Sequence, residues 1–173
     1  MKALILSADK FEDSELLVPF YRLQEAGYTV EIASLNRGLI RGIHDYEVTA
    51  GKTFAEVDPA DYSILVLPGG KAPAAIRSDP QAQAICQAFF AADKPVAAIC
   101  HGPQTLISAG LLRGRRATCY QSVANEMRDA GVHYEDREVV VDDKLVTSRH
   151  PADLPAFMRE LMALLSRPAV SGS

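Results

Sequence analysis

The stretch Lys94 to Gly110, KPVAAICHGPQTLISAG, constrains the fold more than any other part of the chain. Pro95 to Ile99 is a short apolar run, suited to a strand buried on both faces of a parallel sheet. Cys100 follows without a spacer, then His101 and Gly102. Pro103 sets a first helical turn, and Gln104 to Ala109 continue it until Gly110 stops it. A strand that turns at once into a helix holds the turning residue in a strained conformation, its side chain beside free helix N–H groups. Those groups favour thiolate over thiol. The pattern is a nucleophile elbow carrying a cysteine. An inert buried cysteine, the usual fate of a free thiol, has no need of so sharp a turn. Neither G-x-x-x-x-G-K-[ST] nor G-x-G-x-x-G occurs, which counts against nucleotide binding.

The other segments repeat the alternation. Ala3 to Leu6 reads as a buried strand and Asp13 or Ser14 as the cap of a helix carrying Leu16, Leu17, Phe20 and Leu23 before Gly27. Tyr28 to Ala33 returns as a strand, and Ile64 to Leu67 is another, ending in Pro68-Gly69-Gly70. Asp79-Pro80 opens a helix toward Asp93 on which Cys86 is a core residue. After the elbow come a short strand at Ala117 to Cys119, a helix from Val123 to Ala130, a hairpin of Glu138–Val141 and Leu145–Thr147, and a helix from Leu154 to Leu165. Strands alternating with helices predict an α/β sandwich on a mainly parallel sheet. Asn36 to Phe54 breaks the rhythm with Arg37-Gly38, Arg41-Gly42 and Ala50-Gly51, which suggests an antiparallel excursion at the sheet edge, a place where a second subunit can pair.

A chain of 173 residues suits a single domain, 1–173, with a tail expected to fray from about 168. Net charge is −4 and the longest basic cluster is Arg113-Gly114-Arg115-Arg116, so the charge excludes a nucleic-acid reader. Three cysteines, an odd number without C-x-x-C spacing, argue against a disulfide framework or a zinc site and for a reducing compartment. No signal h-region or membrane-length apolar run occurs. The expectation is a soluble, cytoplasmic protein without metal or cofactor.

Five stretches together carry a resemblance: FEDSE after the first strand, LPGGKAP after a central one, AICHGPQTLISAG, RGRRATCY, and VVVDDKLVTSRHPADLPAFMRE. The chain resembles the ThiJ/PfpI superfamily over Met1 to about Leu165, and within it the PfpI-type intracellular cysteine peptidases and deglycases. The resemblance implies a flavodoxin-like three-layer sandwich with Cys100 as nucleophile and Glu12 as the carboxyl beside its sulfur. Physics requires that carboxyl to be protonated, since a carboxylate would raise the thiol pKa and an O–H donor lowers it. By the same resemblance the amides of Gly70 and His101 form the oxyanion hole, and His101 joins the catalytic set. Gly69, Tyr120, Arg149, His150 and Pro151 are candidate pocket residues. His44 and His133 read as surface residues. PfpI-like peptidases complete their triad with a glutamate from a neighbouring subunit, and Ala74 stands in its place here, which counts against a Cys-His-Glu triad.

The residues that remain suffice for carbonyl chemistry. The first reading is a stress-protective glyoxalase or deglycase acting on methylglyoxal-type 2-oxoaldehydes or their early adducts on proteins. Its partners would be a small carbonyl substrate or a glycated protein, and its own copies in a homodimer or trimer of dimers. The alternatives are a PfpI-type peptidase and a redox-sensing or chaperone-like stress protein without turnover. A glutamine amidotransferase is disfavoured by Ala98 and Ala152, where that family prefers glycine and glutamate.

Overall fold

The computed structural model describes residues 1–168, so the expected fraying lies almost wholly outside the described residues. Among the described residues, eleven strands and six α-helices follow in the order β1 Lys2–Leu6, α1 Asp13–Glu25, β2 Thr29–Ser34, β3 Gly38–Arg41, β4 Glu47–Ala50, β5 Lys52–Thr53, β6 Ile64–Leu67, α2 Ala72–Ile76, α3 Pro80–Ala91, β7 Val96–Ile99, α4 Pro103–Ser108, β8 Arg116–Ala117, α5 Ala124–Asp129, β9 His133–Tyr134, β10 Val140–Asp142, β11 Leu145–Ser148 and α6 Leu154–Leu165.

Seven strands form the central sheet in the order β10-β11-β7-β6-β1-β2-β5. All pair parallel except β10, which closes the hairpin with β11 at one edge. The inner strands are apolar on both faces because helices cover both. Leu4, Ile5 and Leu6 of β1, the whole of β6 and the whole of β7 are buried. Helix α1 packs with α6, and α3 with α4, which gives the sandwich that the alternation implied, in the three-layer flavodoxin-like form that the resemblance implied. The excursion after β2 is an antiparallel hairpin, β3–β4, paired as its own two-stranded sheet rather than into the main one. The strand expected at Ala117 to Cys119 is shorter, pairing only Arg116-Ala117 with β9 in a further small sheet. The LPGGKAP stretch holds a short helix, α2, that its glycines and prolines did not announce.

Chain order places the functional edge. The connections from β1 run outward to β2 on one side and to β6 on the other, so the sheet has a topological switch point between β1 and β6, where ligands enter open α/β folds at the C-terminal ends of strands. The loops there are stitched together. Phe11 bridges Gly70, the Glu12 amide donates to the Gly69 carbonyl at 3.2 Å, and the Lys71 amide donates to the Lys10 carbonyl at 2.8 Å. The β3–β4 hairpin is tied to the same edge through buried Asp13, whose carboxylate accepts from the amides of His44 at 2.9 Å and Tyr46 at 3.0 Å. Among the described residues no helix is long and apolar enough to cross a membrane.

The elbow is seated by Gly102. A Cβ at that position would lie 2.2 Å from the Leu67 carbonyl oxygen and 2.9 Å from that of Ile99, so α4 can start against β6 only because this side chain is absent. Gly102→Ala is expected to destabilise the protein by roughly 1–3 kcal/mol through overpacking against backbone that cannot give way. Denaturant unfolding of the variant against the native protein measures this, and an unchanged midpoint would remove the argument.

Candidate active site

Cys100 leaves β7 with φ 65°, in the left-handed region that a residue with a side chain occupies only under constraint. Its amide donates to the Ser148 carbonyl of β11 at 3.0 Å, and its carbonyl accepts from the Tyr120 amide at 2.9 Å. The bend turns the thiol toward the amides of Gly70 and His101, both of which donate to the sulfur. These are the two groups expected to form the oxyanion hole. Gly70 has φ 80°, and a Cβ there would meet the Glu12 amide nitrogen at 2.4 Å. Gly69 is equally committed, since its Cβ would fall 2.6 Å from that of Cys100. Glycine at both positions lets the β6 loop lie against the elbow.

The carboxyl on the sulfur is Glu15, not Glu12. Glu12 is the N-cap of α1, and its side chain folds back to accept from the Ser14 amide at 2.8 Å and the Glu15 amide at 3.3 Å. Its second oxygen faces the exposed His44 ring at 3.2 Å. Capping satisfies amides that the helix cannot, and it points the carboxylate along the helix rather than into the site. Glu15, three residues on, lies on the inward stripe with Leu16, Pro19 and Leu23 and is wholly buried. Its Oε1 accepts from the Gly69 amide at 2.9 Å, and the carboxyl lies close enough to the Cys100 thiol for each to shift the other's titration. Oε2 is buried without a hydrogen-bond partner. Burial raises Glu15 to about 8, against the pull of the Gly69 amide and with a further push from the Glu12 charge. At neutral pH the group therefore carries its proton and can give it to sulfur as a hydrogen bond. A glutamate on an apolar helix stripe is the signal that separates the two glutamates of FEDSE.

Cys100 is pulled both ways. Desolvation pushes it up to about 12, joined by the repulsion of any charge on Glu15, while the amides of Gly70 and His101 favour the thiolate. Protonation of Glu15 removes the repulsion. Burial also holds Cys86 and Cys119 up to about 12, and neither has a matching set of donors; Arg128 alone favours the Cys119 thiolate. Both are completely buried, whereas Cys100 is 6% exposed.

His101 does reach the sulfur. Although it directly follows Cys100, its Nδ1 lies 3.2 Å from Sγ. The ring stacks on Tyr120 with centroids 4.9 Å apart, and Nε2 faces the Ser122 hydroxyl at 3.4 Å. Burial lowers the imidazole's pKa and Glu126 raises it. Tyr120, 40% exposed, thus forms a wall of the site. The Arg149-His150-Pro151 corner is differently employed. The Arg149 guanidinium is paired with buried Asp153 at 2.9 Å and with Asp136 at 3.0 Å, and His150 Nδ1 lies 3.8 Å from Asp153. Two carboxylates neutralise the arginine, so this corner braces the loop after β11. Ala74 is exposed on α2. His133 is exposed, as expected.

Two outcomes follow for Glu15. With its pKa raised in the folded state, the native protein binds more protons than the unfolded chain between about pH 4.5 and 8, so stability falls as pH rises through that window. Glu15→Gln removes this titration, and its melting temperature should stay flatter across the window; the native loss is on the order of 5 kcal/mol at about 1.4 kcal/mol per pKa unit. Glu15→Leu, which has no donor, should raise the Cys100 pKa and slow its alkylation by iodoacetamide. Glu12→Leu should affect alkylation much less, and equal effects would return the role to Glu12.

Comparison with known proteins identifies the family of the chain. The model of the DJ-1/PfpI family matches residues 1–164. "Deglycase PfpI" of Pyrococcus furiosus is 53% identical over 165 residues, covering 95% of this chain and 99% of the relative. "Protein/nucleic acid deglycase 2" of Escherichia coli is 43% identical, covering 95% and 97%. Among solved structures, a two-domain protein of Anabaena variabilis containing DJ-1/ThiJ/PfpI-like and ferritin-like domains superposes with a TM-score of 0.93 at 33% identity. That match covers 99% of this chain, which spans half the length of the two-domain protein. With a cysteine elbow at its centre and this likeness along nearly its whole length, the chain belongs to the DJ-1/PfpI family.

Proposed function

We propose that the protein is a cysteine-dependent glyoxalase and deglycase acting on methylglyoxal-type 2-oxoaldehydes and their early adducts on proteins. The observation that carries this reading is the protonated carboxyl of Glu15 in contact with the Cys100 thiol, beside two convergent amides. The names of the relatives, both deglycases, support it.

The chemistry uses groups already placed. The Cys100 thiolate adds to the aldehyde carbon, forming the S–C bond. The carbonyl oxygen takes up negative charge toward the amides of Gly70 and His101 and receives the Glu15 proton. The resulting Glu15 carboxylate removes the proton from C1 of the hemithioacetal and returns it to C2, while the hydroxyl proton passes from the C1 oxygen to the C2 oxygen. The product is a lactoyl thioester. Water then loses a proton to Glu15 and its hydroxide displaces the thiolate as lactate leaves, which restores the starting state. For an aldehyde already added to an amine as a carbinolamine, thiolate attack at the same carbon forms the S–C bond and breaks the C–N bond, and the amine departs with the Glu15 proton, leaving the same hemithioacetal.

The contact of His101 Nδ1 with Sγ supports a second reading, hydrolysis of peptides through a Cys-His pair. Without an acid at position 74 this activity should be weak. Methylglyoxal consumption with lactate formation is expected to fall at least about a hundredfold in Cys100→Ser, and strongly in Glu15→Leu. A fluorogenic peptide should be cleaved slowly by the unmodified protein. Strong peptide cleavage without lactate production would reverse the order of the two readings.

Self-association belongs to the same reading. Val18, Tyr21, Ile43 and Tyr46 are each at least 40% exposed, and the hydroxyls of Tyr21 and Tyr46 meet at 3.2 Å across α1 and the β3–β4 hairpin. This apolar face adjoins the loop that Asp13 anchors to the site edge. We place a second copy of the chain there. Light scattering at micromolar concentration should give at least twice the 18.7 kDa chain mass, and Tyr21→Glu should lower it. A single species at 18.7 kDa in the native protein refutes the dimer.

A further inference from the structure

The acid that PfpI-like peptidases hold at position 74 is missing, yet the His101 ring is not left without an anion. Glu126 lies in the first turn of α5, on the side of the site where Nε2 of His101 points. Two contacts connect the helices like the rungs of a ladder. His101 Nε2 faces Ser122 Oγ at 3.4 Å, and Gln104 Nε2 donates to Glu126 Oε2 at 3.2 Å. Gln104 is three residues after His101 and Glu126 four after Ser122, spacings that bring side chains to one face. The carboxylate therefore sits about one helical turn, some 5–6 Å, along from the first rung.

The carboxylate is also fixed. Arg77, at the C-terminal end of α2, binds both of its oxygens, with Nη1 to Oε2 at 3.3 Å and Nη2 to Oε1. Arg77 is held in turn by donating from Nε to Ser108 Oγ at 2.8 Å. Burial opposes charge on Glu126, and the hydrogen bonds of Arg77 and Gln104 overcome it, so the group is ionised at neutral pH. The titratable or charged groups about the ring are Cys100 on its own elbow, Tyr120 stacked on its face, Glu126 on α5, with Arg77 behind Glu126. Glu15 sits at the sulfur.

We infer that Glu126, clamped by Arg77 and Gln104, is the positioning residue of His101, supplying within one chain the negative charge that supports the imidazolium formed when the ring takes the Cys100 proton. In that step the S–H bond breaks and an N–H bond forms on Nδ1, while Nε2–H is directed to Ser122. Glu126 takes no proton. A thiolate–imidazolium pair inside a desolvated pocket requires such an anion, because burial alone drives the ring to its neutral form. The inference deepens the reading of Cys100 and His101 above, but it does not depend on which electrophile they attack.

Alkylation by iodoacetamide and NMR titration of the His101 ring test it without a substrate, so failure here is separable from failure of the glyoxalase reading. Glu126→Gln keeps hydrogen-bonding capacity toward Gln104 and removes the charge. It should lower the His101 pKa by about half a unit to one unit, and slow Cys100 alkylation at pH 7 roughly three- to tenfold. Cys86 and Cys119 peptides serve as internal controls. Glu126→Asp should retain most of the native profile. Arg77→Met breaks the same ion pair but leaves the carboxylate, so the ring pKa should hold or rise. A structural salt bridge would make Glu126→Gln and Arg77→Met alike. If the two variants shift the ring equally and in the same direction, or if Glu126→Gln leaves ring and alkylation profile unchanged, the assignment is wrong.

Discussion

Cys100 is held in the left-handed region, a conformation costing a residue with a side chain roughly 1–3 kcal/mol. The surrounding sheet over-determines that bend. The Cys100 amide is taken by β11, its carbonyl by the Tyr120 amide, and the Gly102 amide returns to the Ile99 carbonyl at 2.9 Å. Backbone glycines supply the space on the other side, because neither Gly69 nor Gly70 could carry a Cβ without striking the elbow or the β1 loop. The bend is thus held among four parallel strands, β1, β6, β7 and β11, whose buried residues are apolar apart from Thr147 and Ser148 at the end of β11. A relaxed cysteine at the end of β7 would point back into the sheet and meet none of the donors.

Once the bend is fixed, the chemistry rests on two buried acids sharing a small volume. Burial penalises charge on both Glu15 and Cys100, and each penalises charge on the other. The pair therefore resists carrying two negative charges, and with Glu15 raised to about 8 and Cys100 to about 12 both groups hold their protons at neutral pH. When Cys100 gives up its proton, the arrangement of donors supports the charge on sulfur while Glu15 stays neutral. The sulfur collects the two loop amides, whereas Glu15 has only the Gly69 amide and one oxygen without another donor. Glu12 contributes from outside by holding a capped carboxylate near Glu15, which keeps the inner acid protonated.

Much of this was legible in the sequence, and the failures have definite causes. The sheet, its helical layers and the elbow could be read because apolar runs ending in Cys-His-Gly-Pro and Pro-Gly-Gly leave few other folds. Glu12 was taken from the family resemblance, and FEDSE holds a second glutamate three residues on, at the spacing of a helix cap and its third residue. Helix phase decides otherwise: Glu15, Pro19 and Leu23 repeat every four residues on the buried face, and Glu12 precedes the helix. The Cys100–His101 contact was hidden because it depends on the side-chain direction after a left-handed residue. Arg149 and His150 resemble pocket residues by position alone; the buried Asp153 that captures them lies three and four residues further on, where a sequence shows only an acid in a helix start.

Access to the thiol bears on what the site can take. At 6% exposure in the single chain, the Cys100 thiol is nearly closed off, with the His101 ring stacked on Tyr120 beside it and the β6 loop against the elbow. A peptide segment needs several residues of extended backbone laid across a nucleophile before its carbonyl can reach the oxyanion donors. An aldehyde needs only one unhindered carbon, whether free or projecting from a lysine or arginine on a flexible stem. Desolvation around the thiol strengthens the hydrogen bonds to a developing oxyanion for either electrophile. The burial that makes the cysteine hard to ionise therefore favours the electrophile that needs the least room to reach it, in line with the carbonyl chemistry proposed above.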